Sequence, residues 1–152
     1  MATNFVGPGM TAVTPYLYID GAAQAIEFYK TVFGAEERLC MPGKDGAVMH
    51  AELVINGAVL MLGEANPAMD AKSPKALGGA TGGLFVYVRD VDATVKKAVG
   101  AGARQRGETQ DMFWGDRVGR IIDPWGHDWT VATHVEDVPP DEMERRAKAV
   151  TH

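Results

Sequence analysis

Short stretches of alternating hydrophobic and polar residues run through the first half of the chain, and this pattern is typical of β-strands with one buried face. The stretches are Val13–Ile19, Glu36–Met41, Val48–Ile55 and Ala58–Gly63. Between the first two, apolar residues recur at helical spacing, which predicts a helix capped by Asp20 and ended by Gly34. Asn56 and Gly57 predict a tight hairpin turn between the last two strands. The order of elements is therefore βαβββ.

The same order of elements recurs in the second half. Tyr18 precedes the first helix as Tyr87 precedes a second helix over Val91–Ala101, at an offset of 69 residues (87 − 18). Gly57 and Gly126, which turn the last two strands of each half, have the same offset (126 − 57). These last strands of the second half are Arg117–Ile122 and His127–His134. The constant offset predicts a duplicated module.

These patterns predict an α+β protein in which two tandem βαβββ modules form a curved mixed sheet around a cavity. The expected boundaries are an N-terminal arm over residues 1–10, module one over 11–64, a linker over 65–82, module two over 83–134 and a tail over 135–152. The linker is rich in Pro, Ala and Gly. The tail contains a predicted short helix that begins at a proline, over Pro139–Ala149.

Net charge, cysteine content and the lack of long apolar runs limit the kinds of partner and the compartment that we expect. The net charge of −5 in 152 residues argues against nucleic acid and against anionic membranes, which both need a basic surface. A single cysteine, Cys40, allows no internal disulfide and favours a reducing compartment. We expect neither a secretory leader nor a membrane-spanning segment, because no charged region is followed by an apolar one at the start and no apolar run is long enough to cross a bilayer. We therefore expect a cytoplasmic protein with no nucleic-acid partner and no membrane association.

Three segments carry a family resemblance: PYLYIDGAAQAIEFYKTVFGAE, MHAELVINGAVLML and MFWGDRVGRIIDPWGHDW. They resemble the vicinal-oxygen-chelate superfamily, which contains glyoxalase I, extradiol dioxygenases and the bleomycin- and fosfomycin-resistance proteins. The resemblance is closer to its PhnB-like glyoxalase/bleomycin-resistance branch. It implies the glyoxalase/bleomycin-resistance/dioxygenase fold and a homodimer. Since this fold hosts several chemistries as well as plain binding proteins, function has to be inferred from the site.

The resemblance also indicates where a metal would bind. Members that use a metal hold it with side chains from the first and last strand of each module. These positions fall on Thr14 and Met61 in module one and on Gly83 and Thr130 in module two. None of the four has an imidazole or a carboxylate, whereas a divalent catalytic metal needs about three such ligands. We therefore expect no metal and no other cofactor.

Alternation along each strand predicts which side chains face the cavity. If Thr14 and Gly83 face inward, then so do the aromatic residues Tyr16, Tyr18, Phe85 and Tyr87. On the third strand of each module, the inward residues are predicted to be Val48, His50, Glu52 and Val54, and Arg117, Gly119 and Ile121. On the last strand of module two they are Asp128, Thr130, Ala132 and His134.

Two groups of polar residues are candidates for chemistry, and each has an alternative structural role. His50 could be a general base, with Glu52 as the partner that tunes it. Alternatively, His50 is a structural histidine that bonds a backbone carbonyl at a subunit contact. Trp114, Asp116 and Arg117 are either a stacking platform with a charged clamp or parts of a tight turn. In that turn, Asp116 would cap backbone amides and pair with Arg117.

The remaining candidates are interpreted as structural. His127 belongs to the turn before the last strand, and Asp123 is expected to bond the amides of this turn. Trp129 falls on the helix side of its strand and is expected in the core. Cys40 has no base nearby in the sequence, which argues against a role as a nucleophile.

The function that these observations favour is binding of a small aromatic or amphipathic ligand in a metal-free cavity. The expected ligand-binding residues are Tyr16, Tyr18, Phe85, Tyr87, Trp114, Asp116, Arg117 and Thr130. The alternative is a lyase or isomerase that acts on a small carbonyl compound by proton transfer. In this alternative His50 and Glu52 are catalytic, and Arg117 or Tyr16 holds the developing oxyanion.

Overall fold

The computed structural model describes residues 3–150 of the chain. The chain divides into two compact units, with the boundary between Gly79 and Ala80. Each unit contains one βαβββ module, so the predicted α+β class and the tandem repeat of modules are confirmed. No helix within residues 3–150 has both the length and the apolar character that crossing a membrane would require.

The first unit is a four-stranded mixed sheet with one long helix packed on it. Its elements are β1 (Tyr16–Ile19), α1 (Ala22–Phe33), β2 (Glu36–Pro42), β3 (Val48–Ile55) and β4 (Ala58–Glu64). The strand order is β1-β4-β3-β2, with β1 parallel to β4 and the other pairs antiparallel. Strand β1 begins three residues later than predicted, and Val13 is 86% exposed.

The start of α1 differs from the prediction, because Asp20 does not cap it. The carboxylate of Glu64 instead accepts hydrogen bonds from the amides of Gly21 (2.8 Å) and Ala22 (3.0 Å). Glu64 pairs with Ile19 in the parallel β1–β4 ladder, so the end of β4 delivers this carboxylate to the positive end of the helix. Asp20 accepts a hydrogen bond from the Ser73 hydroxyl. Gly34 ends the helix in the left-handed conformation, as predicted.

The predicted linker contains ordered structure. Residues Pro67–Met69 form a turn of 3-10 helix, and Pro74–Leu77 form the short helix α2. The Ser73 hydroxyl accepts a hydrogen bond from the amide of Ala76 (3.2 Å) and is only 1% exposed. The part of the linker before Gly79 therefore belongs to the first unit.

The second unit repeats this plan and adds a C-terminal helix. Its elements are β5 (Gly83–Tyr87), α3 (Val91–Gly100), β6 (Arg104–Gln105), β7 (Gln110–Asp111), β8 (Asp116–Ile122), β9 (Asp128–His134) and α4 (Pro140–Val150). The strand order is β5-β9-β8-β6, and β7 also pairs with β8. Strands β6 and β7 are thus two short pieces that stand where β2 stands in module one. Arg146 ties α4 to the chain through a two-bond contact with Glu136 (2.8 and 2.9 Å).

The register of the parallel strands confirms the offset of 69 residues. Tyr16 pairs with Met61 in the first unit, and Phe85 pairs with Thr130 in the second. The antiparallel hairpins break this offset, because two residues join β3 to β4 whereas five residues join β8 to β9. Met61 faces Glu52, but Thr130 faces Arg120, which is an offset of 68 residues (120 − 52).

This one-residue shift corrects the predicted orientation of β8, since neighbouring residues of a strand point to opposite faces. Arg117, Gly119 and Ile121 were expected in the cavity, but they lie on the helix side. A side-chain carbon at Gly119 would come within 2.8 Å of Val95 in α3, and Ile121 is fully buried opposite Trp129. The residues of β8 that share a face with Thr130 are Asp116, Val118, Arg120 and Ile122.

Candidate functional site

Each module exposes a pair of aromatic side chains on its first strand, on the sheet face opposite the helix. Tyr16 and Tyr18 are each 41% exposed, and Phe85 and Tyr87 are 52% and 51% exposed. The two ring centroids are 5.4 Å apart in the first pair and 5.2 Å apart in the second. The intervening Leu17 and Val86 are buried, as alternation predicts. We call the sheet face that carries the pair the aromatic face of each module.

On the aromatic face of module one, His50 lies between a phenol and a carboxylate. Its Nδ1 is 3.0 Å from the Tyr16 hydroxyl, and its Nε2 is 3.4 Å from Glu52 Oε1. A carboxylate can only accept a hydrogen bond, so we assign the imidazole proton to Nε2. Nδ1 then accepts a hydrogen bond from Tyr16. Arg38 Nε contacts the other oxygen of Glu52 at 3.3 Å. His50 and Glu52 therefore share a face as predicted, with Tyr16 and Arg38 as partners.

The local packing keeps the Tyr16 hydroxyl in place as a donor. Burial, and then the neighbouring Tyr18, raise the pKa of Tyr16, so its hydroxyl keeps its proton at neutral pH. Gly63 makes room for this hydroxyl, because a side-chain carbon there would lie 3.0 Å from it. The same carbon would lie 2.6 Å from the carbonyl oxygen of Met49, so a larger residue at Gly63 would displace both groups.

On module two, the buried Asp116 is the centre of a part-buried hydrogen-bond network. Its carboxylate accepts bonds from the Tyr87 hydroxyl (2.9 Å), from Trp114 Nε1 (2.9 Å) and from His134 Nδ1 (2.7 Å), and the residue is 2% exposed. In the turn alternative, Asp116 was expected to cap backbone amides and to pair with Arg117. Among the described residues, the structure shows neither contact, because the partners of Asp116 are the side chains of Tyr87, Trp114 and His134. The network instead fixes the rings of Tyr87 and Trp114 in one orientation.

The pKa values of this network follow from burial and from its bonds. Burial alone would raise the pKa of Asp116, but the hydrogen bonds from His134, Tyr87 and Trp114 outweigh it, so this pKa is lowered. The bonds to Asp116 and then to Asp137 raise the pKa of His134. His134 Nε2 is 2.8 Å from Asp137, so both ring nitrogens face carboxylates, which favours the cationic imidazole.

This ion pair makes the stability of the protein depend on pH. The raised pKa of His134 stabilises the folded state below about pH 6.5, and this contribution disappears as the pH rises through the folded-state pKa. The lowered pKa of Asp116 stabilises it above about pH 4, and this contribution disappears on acidification. We expect urea denaturation to give a smaller loss of unfolding free energy between pH 6 and 8 for His134→Gln than for the natural protein. Equal losses in both proteins would contradict this assignment.

Arg117 lies away from the aromatic face. Its guanidinium donates two hydrogen bonds to Asp92 of α3 (2.8 and 3.0 Å) and one to Asp111 (3.1 Å). These bonds, first to Asp92 and then to Asp111, raise its pKa, so the charge is permanent and already neutralised. Of the two alternatives for Trp114, Asp116 and Arg117, the stacking platform with a charged clamp does not form, because the shift of β8 turns Arg117 towards the helix.

Arg120 is the residue of the aromatic face that the sequence pattern missed. It is exposed and lies opposite Thr130, which in turn lies opposite Phe85 on the neighbouring strand. Arg120 forms no ion pair with any residue in the described range 3–150. The five-residue length of the β8–β9 connection is the signal that would have revealed it, because an odd difference in turn length changes the face that a strand presents.

The turn between β8 and β9 has the structural role that the sequence indicates. Asp123 accepts hydrogen bonds from the amides of Trp125 and His127 and from Trp129 Nε1, all at 3.0 Å. Trp129 is 2% exposed and His127 is 9% exposed. Trp129 therefore belongs to the core, and His127 is a structural residue of the turn.

The residues at the metal positions of the resemblance do not fit a divalent ion. Thr14, Met61, Gly83 and Thr130 offer two hydroxyls and a thioether, which are poor ligands for such an ion. Within residues 3–150, no three side chains of His, Cys, Asp or Glu are grouped closely enough to hold a metal. Next to Met61 and Thr130 on the neighbouring strands stand Glu52 and Arg120.

Comparisons with known proteins identify similar sequences and structures. The family model for the Glyoxalase/Bleomycin resistance protein/Dioxygenase superfamily matches residues 9–131. An uncharacterized protein of Mycobacterium bovis is 40% identical over 136 residues, which cover 88% of this chain and 90% of the relative. A gene product of Arabidopsis thaliana has a similar structure, with a TM-score of 0.66, 26% identity and coverage of 81% and 98% of the two chains. The PhnB protein of Bacillus cereus has a TM-score of 0.63, 18% identity and coverage of 81% and 99%, which is a likeness of fold.

Proposed function

Because the chain belongs to the glyoxalase/bleomycin resistance protein/dioxygenase superfamily, we propose that it binds a small aromatic or amphipathic molecule without using a metal ion. The observation that carries this proposal is the repeated pair of half-exposed aromatic side chains, Tyr16 with Tyr18 and Phe85 with Tyr87. Soluble proteins bury most of their large aromatic residues, so two pairs at equivalent positions of a duplicated module favour a role in binding.

The aromatic pairs suit a planar ligand because their rings are held before the ligand arrives. In each pair one ring leans on its neighbour at an angle of about 50° (48° and 51°). Tyr87 is also fixed through its hydroxyl by Asp116, and Tyr16 through its hydroxyl by His50. Side chains that are already ordered lose little entropy on binding, which improves affinity. Polar groups beside the rings, among them His50 and Thr130, supply hydrogen bonds that would orient the ligand.

Truncation of the exposed rings tests this proposal. We expect the uncharged amphipathic probe 2-naphthamide to bind, and Tyr18→Ala and Phe85→Ala each to weaken binding to its own module by roughly 1–3 kcal/mol, the scale of a lost aromatic anchor. Isothermal titration calorimetry measures the affinity, and thermal unfolding checks the fold of each variant. Leu77→Ala is the matched control, because Leu77 is 60% exposed in α2 and lies outside both sheets.

The same titration tests the absence of a metal. Affinity for 2-naphthamide should be unchanged by a chelator and by added divalent ions. Binding that requires Zn²⁺, Mn²⁺ or Ni²⁺, or that is insensitive to both ring truncations, would contradict the proposal.

A second candidate function is proton transfer on a small carbonyl compound, as in a lyase or isomerase. The observation that favours it is the chain of contacts from Tyr16 through His50 to Glu52. A substrate that displaces the Tyr16 hydroxyl would meet the unprotonated Nδ1 of His50, and Glu52 would stabilise the resulting imidazolium. The displaced Tyr16 hydroxyl is then available to donate a hydrogen bond to the developing oxyanion.

We also propose that the protein is a homodimer and that it acts in the cytoplasm. The dimer rests on the family resemblance, and the location rests on the single cysteine, Cys40. Light scattering during size-exclusion chromatography measures the mass in solution. A mass of one chain at micromolar concentration would contradict the dimer.

A further inference from the structure

We infer that the ligand of module two is an aromatic anion, whose acidic group is bound by Arg120 while its ring packs on Phe85. This inference rests on the proposed binding function and specifies the charge of the ligand. A carboxylate is the simplest acidic group of this kind, since a guanidinium binds its two oxygens with two parallel hydrogen bonds.

The geometry of the sheet places the two residues at a suitable separation. Phe85 of β5 lies opposite Thr130 of β9, and Thr130 lies opposite Arg120 of β8, so the three residues form one row across the sheet. Neighbouring strands are about 4.8 Å apart, which puts the Cα atoms of Phe85 and Arg120 about 10 Å apart. An aryl carboxylate is of this size. Thr130 stands between the two residues, where its hydroxyl is within reach of a bound ligand.

The charge around Arg120 also favours an anion. Arg104 and Arg106 flank it from the neighbouring β6 segment: Arg104 pairs with Ile122, and the amide of Arg106 donates to the carbonyl of Arg120 (2.8 Å). Asp128 neutralises Arg106 through a contact of 2.7 Å. Within the described residues, Arg104 and Arg120 have no ion-pair partner, so this part of the aromatic face is positive although the chain has a net charge of −5.

The two arginines of β8 differ in whether a carboxylate of the protein neutralises them. Arg117 lies on the helix side, where Asp92 and Asp111 neutralise it. Arg120 lies on the aromatic face, where Asp116 of the same strand already accepts three hydrogen bonds and Asp128 of β9 is paired with Arg106. An arginine of a strand that faces exposed aromatic rings and has no carboxylate of its own is suited to bind one from a ligand.

A pair of probes of equal shape tests the inference. We expect 2-naphthoate to bind at least about tenfold more tightly than 2-naphthamide, because a hydrogen-bonded ion pair adds to the same ring contacts. Arg120→Gln should remove this preference, so that the affinities for 2-naphthoate and 2-naphthamide come to lie within about twofold of each other. Arg89→Gln is the matched control, since Arg89 is exposed, lies between β5 and α3 and makes the same change of charge. Calorimetry at two salt concentrations measures all affinities.

The outcomes separate this inference from the proposed function. Equal binding of both probes overturns the inference and leaves the binding function standing. A preference for 2-naphthoate that survives Arg120→Gln, or that Arg89→Gln removes equally, also overturns it, because the net field of the protein would then be the cause. If neither probe binds, both the inference and the proposed function are contradicted.

Discussion

Replacing Gly115 with alanine should lower the free energy of unfolding by about 3 kcal/mol or more, which is a large share of the stability of a small protein. Gly115 has φ of 102°, a conformation that favours glycine. An added side-chain carbon would lie 2.1 Å from the carbonyl oxygen of Glu136 and 3.1 Å from Val138 Cγ2. Because the first contact is with backbone, a change of rotamer cannot relieve it.

The clash would also disturb the network around Asp116. The carbonyl of Gly115 accepts hydrogen bonds from the amides of Val135 (2.9 Å) and Glu136 (3.0 Å), which ties the turn to the segment after β9. Trp114 and Asp116 flank this glycine. We therefore expect Gly115→Ala to lose the near-ultraviolet circular dichroism of a fixed tryptophan together with stability.

Urea denaturation measures this loss, and Gly34→Ala is its control. Gly34 also has a positive φ of 67°, but no atom lies within 4 Å of an added side-chain carbon. Gly34→Ala should lower the free energy of unfolding by only about 1 kcal/mol, the usual cost of an alanine in the left-handed conformation. Equal losses for the two variants would show that the contact with Glu136 is not the cause.

Replacing His50 with glutamine should have the largest effect on any proton-transfer activity. If Nδ1 of His50 removes a proton from the carbon beside a carbonyl, the electron pair of the broken C–H bond forms a carbon–carbon double bond. The π electron pair of the carbonyl then moves to its oxygen, and an enolate forms. The imidazolium then returns the proton to carbon. A general base contributes about 10²–10⁴-fold to the rate, so His50→Gln should reduce turnover by that factor. Deuterium uptake from D₂O into dihydroxyacetone, followed by NMR, provides the measurement.

His134→Gln is the matched histidine variant for this experiment. His134 is held by Asp116 and Asp137, so its replacement should leave deuterium uptake unchanged. Binding of 2-naphthamide to His50→Gln shows that the variant still folds and binds. Uptake that falls by no more than a few-fold in His50→Gln would exclude the role of His50 as the base, and absence of uptake in the natural protein would leave binding as the function.

Most of the fold could be predicted from the sequence, because the signals are local. The alternation in Val48–Ile55 gives the bounds of β3 as they are, and Gly34 marks the end of α1. The start of α1 could not be predicted in this way. Asp20 is the residue that local sequence favours as a cap, but Glu64 caps the helix from 43 residues further along the chain, through the pairing of β1 with β4.

The face on which several side chains of the candidate site lie could be predicted, because it depends on local alternation, but their contacts could not. Alternation alone places Tyr16, Phe85 and His50 on the aromatic face, whereas the contact between His50 and Tyr16 depends on how the strands pair. The partners of Asp116 depend on three strands and a turn that meet in space, so no spacing in the sequence reveals them. Arg117 was assigned in place of Arg120 because a constant offset between modules ignores the length of the hairpin.

The unequal hairpins bear on how such duplicated proteins diversify. A gain or loss of an odd number of residues in one connection exchanges the two sides of the preceding strand without altering any amino acid in it. The acidic residue opposite Met61 in module one, Glu52, thereby has a basic counterpart opposite Thr130 in module two, Arg120. Two modules of one plan can thus present side chains of opposite charge at equivalent places of their sheets. Relatives that differ in the length of this connection should be compared by strand pairing before any residue is transferred between them.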